Sequence, residues 1–368
     1  MRLAWFRAAT HVSERLDDTA ALVAALGSEH QIHVVDEARA HDFIRLDFRT
    51  PFDLCVFELA NTPRHAYIWP YLFHVPGVLR LRSLSLHESR TDALRRHHRE
   101  GDRALELAFS DWDLVGAPIL ASRLTVVSDA HAAARVQRSY PDARVRHAPV
   151  GVVGGQTRGL TPGLTPIVGA FFSTGVVQRA VSRARDAGAR LDLMIDASPE
   201  QILDKADVVI ATNWPPADDS TLAIAGMAAG KAVVIVETEH TAGWPALDPQ
   251  TWQPRGWARD RPILVSVDPR DEEHSLSLAL RRLANDAQLR RDLGRAAHAW
   301  WREHATVDQA VRAWRSILDE AGSLGPPRRP DNWPRHLTAD GTERARELLG
   351  EFGATVDFLT PQAATHRP

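Results

Sequence analysis

The chain alternates short apolar runs with helical patterns, and this alternation starts twice. In the first half, the runs "RLAWF", "FDLCVFEL" and "SRLTVVSD" are separated by helical stretches such as "RLDDTAALVAALGS". The same order restarts at "IVGAFF" and continues through "RLDLMID", "DVVIAT", "KAVVIVET" and "PILVSVD". Strands that alternate with helices form parallel sheets, because parallel neighbours need a long crossover connection. The sequence therefore predicts an α/β protein with two doubly wound Rossmann-like domains.

A change of composition separates the two series of strands. The stretch "GGQTRGLTPGLTP" is rich in Gly, Thr and Pro and has almost no apolar content, which is typical of an exposed linker. We expect an N-terminal domain over 1–153, this linker over 154–166, a C-terminal domain over 167–322 and a tail with one short helix over 323–368. Open α/β sheets bind ligands at the carboxyl ends of their strands, so two facing domains predict a cleft between them.

Charge and cysteine content exclude several classes of function. The chain carries 44 basic and 47 acidic side chains, so it lacks the positive excess that grips nucleic acid regardless of sequence. The single cysteine, Cys55, excludes an intrachain disulfide and a cysteine zinc cluster, and a reducing cytoplasm is the simplest location. We expect no transmembrane segment, because no run of about 18 apolar residues occurs. Arg-rich helix faces leave a peripheral membrane contact open.

One segment of the second half has the order of a phosphate-binding helix end. It reads "NWPPADDSTLAIAGMAAGKAVV" and follows an apolar strand. In the simplest interpretation, Asp218, Asp219 and Ser220 only cap the helix by accepting hydrogen bonds from its free N–H groups. The same N–H groups and the positive helix end also attract a diphosphate, with the Ser220 and Thr221 hydroxyls as extra donors. Two adjacent aspartates oppose that binding by charge repulsion, so both interpretations stay open.

Longer stretches of the chain resemble a known family. They are "FDLCVFELANTPRHAYIWPYLFHVPGVLRLRSLSLH", "SRLTVVSDAHAAARVQRSYPDARVRHAPVGV", "ADVVIATNWPP" with "STLAIAGMAAGKAVVIVET", and "DAQLRRDLGRAAHAWWREHATVDQAVRAW". Their order resembles the GT-B glycosyltransferases and, within them, the retaining, GT4-like branch. The resemblance implies that the two domains face a cleft and that C-terminal helices pack back towards the N-terminal domain. It also implies transfer of a hexosyl group from a nucleotide-sugar to a hydroxyl acceptor, with no bound metal and no cofactor besides the nucleotide-sugar co-substrate.

The chemical motifs depart from the family pattern. The two acids of the E-x7-E donor helix fall on Ala217 and Ala225, and the proline of the following motif falls on Ala232. The histidine that faces the donor sugar is replaced by Arg82, and the Gly-rich loop after the first strand is replaced by "RAATHVSERLDD". Arginine pairs with phosphate in a bidentate way but stays protonated, so Arg82 cannot act as a general base. The resemblance therefore implies a divergent donor site.

Candidate site residues follow from these positions. Arg82 is the candidate for charge stabilisation, and the other catalytic groups are unknown. The candidates on the donor side are Arg179, Asn213, Trp214, Asp219, Ser220 and Thr221, and those on the acceptor side are Asn61, His65 and His87. Each has a simpler interpretation as a solvated, strand-end or packing residue. In the Trp-rich segment that follows, Trp244, Trp252 and Trp257 are placed to stack on a sugar or a base.

The sequence thus predicts a glycosyltransferase whose hydroxyl acceptor is a glycan, a lipid or a small molecule. Catalysis in such sites depends on diphosphate charge stabilisation and positioning, which the loss of two carboxylates weakens without abolishing. Two alternatives stay open: a catalytically silent GT-B paralogue that serves as partner or scaffold of an active transferase, and a nucleotide-sugar epimerase. Convergence of Arg82, Arg179 and the helix start at Ser220 on one pocket would favour an active donor site.

Overall fold

A computed structural model describes most of the chain. The described residues are 1–9, 16–90, 113–155, 165–172, 174–211, 221–238, 240–255, 261–328, 333, 337 and 348–353. Most of the predicted linker and tail lies outside these ranges. So do four predicted donor-side residues, namely Asn213, Trp214, Asp219 and Ser220.

The first half forms a six-stranded parallel sheet in the order β2-β1-β3-β4-β5-β6. Its strands are β1 (Arg2–Phe6), β2 (Gln31–Val35), β3 (Leu54–Leu59), β4 (Val78–Leu81), β5 (Leu124–Val127) and β6 (Val145–His147). The helices are α1 (Asp18–Leu26), α2 (Ala40–Arg49), α3 (Ile68–His74), α4 (Gly116–Ala121) and α5 (Ala130–Ser139). The strand order reverses between β1 and β3, so a crevice opens there at the carboxyl edge.

The second half repeats this architecture in the order β11-β12-β10-β9-β7-β8. Its strands are β7 (Ile167–Ala170), β8 (Asp192–Met194), β9 (Val208–Ile210), β10 (Ala232–Val236), β11 (Ala246–Leu247) and β12 (Leu264–Val267). The helices are α6 (Gly175–Asp186), α7 (Pro199–Lys205), α8 (Thr221–Ala228), α9 (Glu272–Asn285), α10 (Ala287–His304) and α11 (Val307–Ser323). The strand order of this sheet reverses between β7 and β9. The predicted pair of doubly wound α/β domains is confirmed.

Local sequence signals explain where the elements begin and end. Strands β3, β4 and β10 are apolar along nearly their whole length and are buried throughout, as strands covered by helices on both faces require. Helix α1 begins where the Asp17 carboxylate accepts a hydrogen bond from the Ala20 N–H at 2.9 Å, and it ends at Gly27. Helix α7 begins with a capping box in which Ser198 and Gln201 bond each other's backbone N–H groups.

The last helix of the second half packs on the first sheet. Trp314 of α11 is fully buried against Trp5 of β1, with ring centroids 5.0 Å apart, and Ile317 and Leu318 join the same apolar cluster. This contact confirms that C-terminal helices return to the N-terminal domain. A second cluster joins the two halves directly, and in it Ala225 is 3% exposed among Leu16, Val150 and other apolar side chains.

In the part of the chain that the structure describes, no helix has both the length and the apolar content needed to cross a bilayer. One surface helix, α2, nevertheless exposes apolar side chains: Ile44 is 66% exposed and Phe48 is 89% exposed. Arg45 and Arg49 lie on the same helix. A peripheral membrane contact stays a prediction.

The packing of α11 leads to a first prediction. Replacing Trp314 with Ala leaves a large cavity beside Trp5, so we expect the free energy of unfolding of the N-terminal half to fall by about 3–5 kcal/mol. Urea denaturation followed by tryptophan fluorescence measures this change. The matched control is Arg312→Ala on the exposed side of the same helix. A loss of less than about 1 kcal/mol for Trp314→Ala would show that α11 contributes little to the first core.

Candidate functional site

A cavity of about 790 Å³ lies between the two sheets at their carboxyl edges, and we name it the switch-point cavity. The first half lines it with the loops after β1, β3 and β4, and the second half with the loops after β7, β8 and β9. The lining residues are Arg7, Ala8, Ala9, Leu16, Asp17, Asp18, Glu58, Ala60, Thr62, Pro63, Arg64, His65, Arg82, Phe172, Ser198, Pro199, Glu200, Thr221 and Leu222. Both sheets thus present their point of reversed strand order to one space, where α/β folds bind ligands.

Four paired charges lie at the first-sheet side of this cavity, and we name them the ion cluster: Asp18, Glu58, Arg80 and Arg82. Asp18, Glu58 and Arg82 line the cavity, and Arg80 pairs with the two carboxylates. Arg82 is partly buried and the other three are buried. Arg80 donates hydrogen bonds to Asp18 and, at 3.1 Å, to Glu58. One guanidinium nitrogen of Arg82 lies 3.0 Å from Asp18, and the other lies 3.6 Å from Glu58. Two carboxylates face two guanidinium groups, so the formal charges cancel.

Strand register explains why these charges meet. Glu58 of β3 and Arg80 of β4 are direct neighbours across the sheet. Two further groups satisfy the Glu58 carboxylate: the Trp5 indole N–H donates at 2.7 Å and the Thr19 hydroxyl at 2.9 Å. A buried charge is costly unless it is paired and hydrogen-bonded, and the ion cluster meets both conditions.

The ion cluster keeps its carboxylates ionised. Burial by itself raises the pKa of Asp18, but the charges of Arg82 and Arg80 and their hydrogen bonds outweigh it and hold the pKa well below its usual range. The pKa of Glu58 is also lowered, because the same two arginines outweigh its burial. Neither carboxylate is therefore a proton donor at neutral pH. Their effect is to hold the Arg82 guanidinium in place.

Arg82 also connects the two halves of the chain. Its guanidinium donates a hydrogen bond of 2.9 Å to the hydroxyl of Thr221, the first residue of α8. The free N–H groups at the start of a helix carry partial positive charge. Arg82 and the start of α8 thus converge on the switch-point cavity, which both line.

The third residue of the predicted convergence lies elsewhere. Arg179 on α6 is exposed and pairs with Glu273 of α9 at 2.6 Å. It is not among the described residues that line the switch-point cavity. Ser220, which would precede Thr221 at the helix start, lies outside the described residues. The convergence therefore involves Arg82 and Thr221 without Arg179.

Of the three acceptor-side candidates, one lines the switch-point cavity and two do not. His65 lines the switch-point cavity, and its Nδ1 lies 2.9 Å from the Thr62 hydroxyl. Burial lowers the pKa of His65 to about 4, with Glu58 opposing and Arg82 adding to the effect, so the imidazole is neutral at pH 7. Asn61 is buried and accepts a hydrogen bond of 2.8 Å from the Glu88 N–H. Asn61 and the exposed His87 are not among the described lining residues.

The sequence interpretation missed several charged lining residues. Arg7 lies at the end of β1 and pairs with Asp17 at 2.7 Å. Arg64 is exposed at the cavity, and Glu200 lies in the first turn of α7. A signal existed for the ion cluster, because Glu58 interrupts an apolar strand and buried charges are rare without partners. We find no such signal for Arg64 in the sequence.

No protein-family model matches the chain, and no curated protein matches it. Several solved structures do match it. HepE from Anabaena in complex with UDP and glucose has a TM-score of 0.56 at 11% identity, with 87% of this chain and 100% of HepE covered. The chain has the GT-B fold.

Two further matches have the same coverage. HepE in complex with UDP-glucose has a TM-score of 0.54 at 13% identity, over 87% of this chain and 100% of that one. WaaG, a glycosyltransferase involved in lipopolysaccharide biosynthesis, has a TM-score of 0.51 at 10% identity, over 87% of this chain and 100% of WaaG. At identities this low, the matches show the shared GT-B fold and nothing about activity. The function of this chain must be argued from its own cavity.

The ion cluster leads to a second prediction. Because the pKa of Asp18 is lower in the folded chain than in the unfolded chain, its carboxylate stabilises the fold above about pH 3.9, and this contribution is lost as the pH falls towards the folded-state pKa. Asp18→Asn leaves two guanidinium groups facing one carboxylate. We expect it to lower the free energy of unfolding by about 3–5 kcal/mol at pH 7 and to make the acid dependence shallower below about pH 4.

Denaturation curves at a series of pH values measure both effects. The control is Asp42→Asn, which removes a partly exposed carboxylate that pairs with His41 and Arg45 of the same helix. An acid dependence for Asp18→Asn equal to that of the unmodified chain would contradict the assignment.

Proposed function

We propose that the chain is a glycosyltransferase of the retaining, GT4-like type that uses a nucleotide-sugar donor, transfers the sugar to a hydroxyl acceptor and needs no bound metal. The observation that carries the proposal is the meeting of Arg82 with the start of α8 in the switch-point cavity. A helix start beside a fixed guanidinium is suited to a diphosphate. A cavity of about 790 Å³ also lies within the range of sites for ligands of this size.

Arg82 and Arg64 would contribute to diphosphate binding in different ways. The charge of Arg82 is already balanced within the ion cluster, so Arg82 contributes hydrogen-bond donors at fixed positions and little net charge. Such donors need no reorganisation when charge develops on the leaving group, which is how preorganised sites lower a barrier. Arg64 is exposed at the cavity and supplies positive charge from the first half.

The missing family carboxylates limit what the helix itself contributes. Ala225 packs in the apolar contact between the halves, so no acidic group contacts a donor from that position. We assign the contact with the ribose to Glu200, which lines the cavity just after β8, the second strand of its domain. An acid after the second strand is where dinucleotide-binding folds bond a ribose hydroxyl. The complexes of HepE with UDP and UDP-glucose make uridine nucleotides the first donors to test.

Donor binding provides the third prediction. Isothermal titration with UDP-glucose, GDP-mannose and ADP-glucose is expected to show saturable binding of at least one of them at millimolar concentration or below. Arg64→Ala removes an exposed cation near the diphosphate and is expected to weaken that binding about three- to tenfold. The matched control is Arg312→Ala, an exposed arginine on α11 that is not among the described lining residues. Absence of binding for all three donors would refute the proposal.

Transfer itself provides the fourth prediction. With a donor that binds, incubation with glycan, lipid and small-molecule hydroxyl acceptors is expected to give a glycoside whose anomeric configuration matches that of the donor, as read by NMR. Added chelator is expected to leave the rate unchanged. A product of inverted configuration would refute the retaining mechanism. Donor binding without transfer or donor hydrolysis would instead identify a catalytically silent paralogue.

A further inference from the structure

A second cavity of about 500 Å³ also lies between the two halves. Helix α8 contributes to both cavities, with Thr221 and Leu222 at the switch-point cavity and Ile224 at the second one. The first half contributes the carboxyl ends of β5 and β6, and the second half contributes the loop after β10 and the end of α10. No described residue lines both cavities, so the second cavity is a separate space.

One wall of the second cavity is aromatic. The rings of Trp244 and Trp300 lie 5.3 Å apart at 49°, and the His304 ring lies 5.1 Å from Trp300. Both indoles line the cavity and are half-buried, so part of their surface remains open to it. An indole face offers a flat apolar surface together with a polar edge.

The opposite wall is polar and incompletely hydrogen-bonded. Asp129 uses one carboxylate oxygen to cap α5, accepting from the Ala132 N–H at 2.8 Å, while its other oxygen is buried and has no partner among the described residues. Behind the wall, His240 is 1% exposed and places Nδ1 2.8 Å from the Ser128 hydroxyl, while its Nε2 likewise has no partner in the described part of the chain. Both unpartnered atoms are enclosed by protein, so a ligand in the cavity would contact the exposed histidines of this wall and not these two atoms.

The histidines complete the polar wall. His131 and His147 line the cavity from the first half and are exposed. A neutral imidazole both donates and accepts hydrogen bonds, as a hydroxyl-bearing ligand requires. An anion fits this wall poorly, because Asp129 lines it and the described lining residues include no arginine or lysine.

We propose that the second cavity binds a saccharide unit, with its C–H face on Trp244 and its hydroxyl groups on His131 and His147. A pyranose ring has one apolar face and a rim of hydroxyls that donate and accept, which matches an aromatic wall opposite a polar one. The volume of about 500 Å³ accommodates a sugar ring. This site binds sugar without a nucleotide, and it stands apart from the transfer reaction assigned to the switch-point cavity.

The test is saturation-transfer-difference NMR and isothermal titration on the full chain, without nucleotide. The probes are methyl α-glucoside, methyl α-mannoside, maltose, cellobiose and lactose, with uridine as a separate arm. We expect at least one saccharide to bind with millimolar affinity. Trp244→Ala is expected to weaken it about tenfold or more, and Trp244→Phe is expected to restore part of the affinity.

Further variants keep the test decisive if Trp244→Ala fails to fold. His147→Ala changes an exposed lining residue and is expected to weaken saccharide binding several-fold, whereas His41→Ala, an exposed histidine on α2, leaves it unchanged. Arg64→Ala in the switch-point cavity is also expected to leave it unchanged.

The proposal is overturned if none of the five saccharides binds, if His147→Ala and both Trp244 variants bind as the unmodified chain does, or if uridine alone binds in a Trp244-dependent way. Nucleotide-sugar titration runs in parallel on the same samples. Failure of that titration refutes the proposed transferase function and leaves saccharide binding in the second cavity intact, so the two proposals fail separately.

Discussion

The site depends on the pairing of four largely buried charges at the carboxyl edge of the first sheet. Asp18, Glu58 and Arg80, from α1, β3 and β4, are buried, and Arg82, in the turn after β4, is partly buried. Each has an opposite charge beside it. Removing any one would leave an unbalanced charge in a largely buried cluster, which is more costly than losing an exposed ion pair. The register of β3 with β4 and the position of α1 are therefore coupled to the geometry of the cavity.

That pairing changes what Arg82 can do. An unpaired arginine at this place would attract a diphosphate by charge, but the two carboxylates balance it and fix its direction. What remains is a set of oriented N–H donors that reaches Thr221 at the start of α8 and joins the two halves. Under the proposed function, attraction of an anionic donor would depend on the helix start and on exposed cations such as Arg64. A site of this kind relies on positioning more than on net charge.

Much of the fold could be predicted from local patterns, and less of the site could. Apolar runs such as "LCVFEL" identify buried strands, and Asp17 and Gly27 delimit α1, because these signals act over a few residues. The positions of Arg82 and His65 after strands predict that they are site residues, and both line the switch-point cavity. Arg179 occupies a comparable position after β7, yet it pairs with Glu273 on a helix that only folding brings near. Residue type and position after a strand do not determine which neighbour a long side chain finds.

By itself, the sequence determined the succession of strands and helices and the two-domain α/β class, since these depend on periodicity, caps and residue identity. Only the tertiary structure decided that Glu58 and Arg80 pair across β3 and β4, that α11 returns to Trp5, and that Arg82 meets Thr221. The same holds for Trp244 and Asp129, which come from different halves and face one cavity. Such contacts join residues that are far apart in the chain, so they follow from how sheets and helices pack and not from any local pattern.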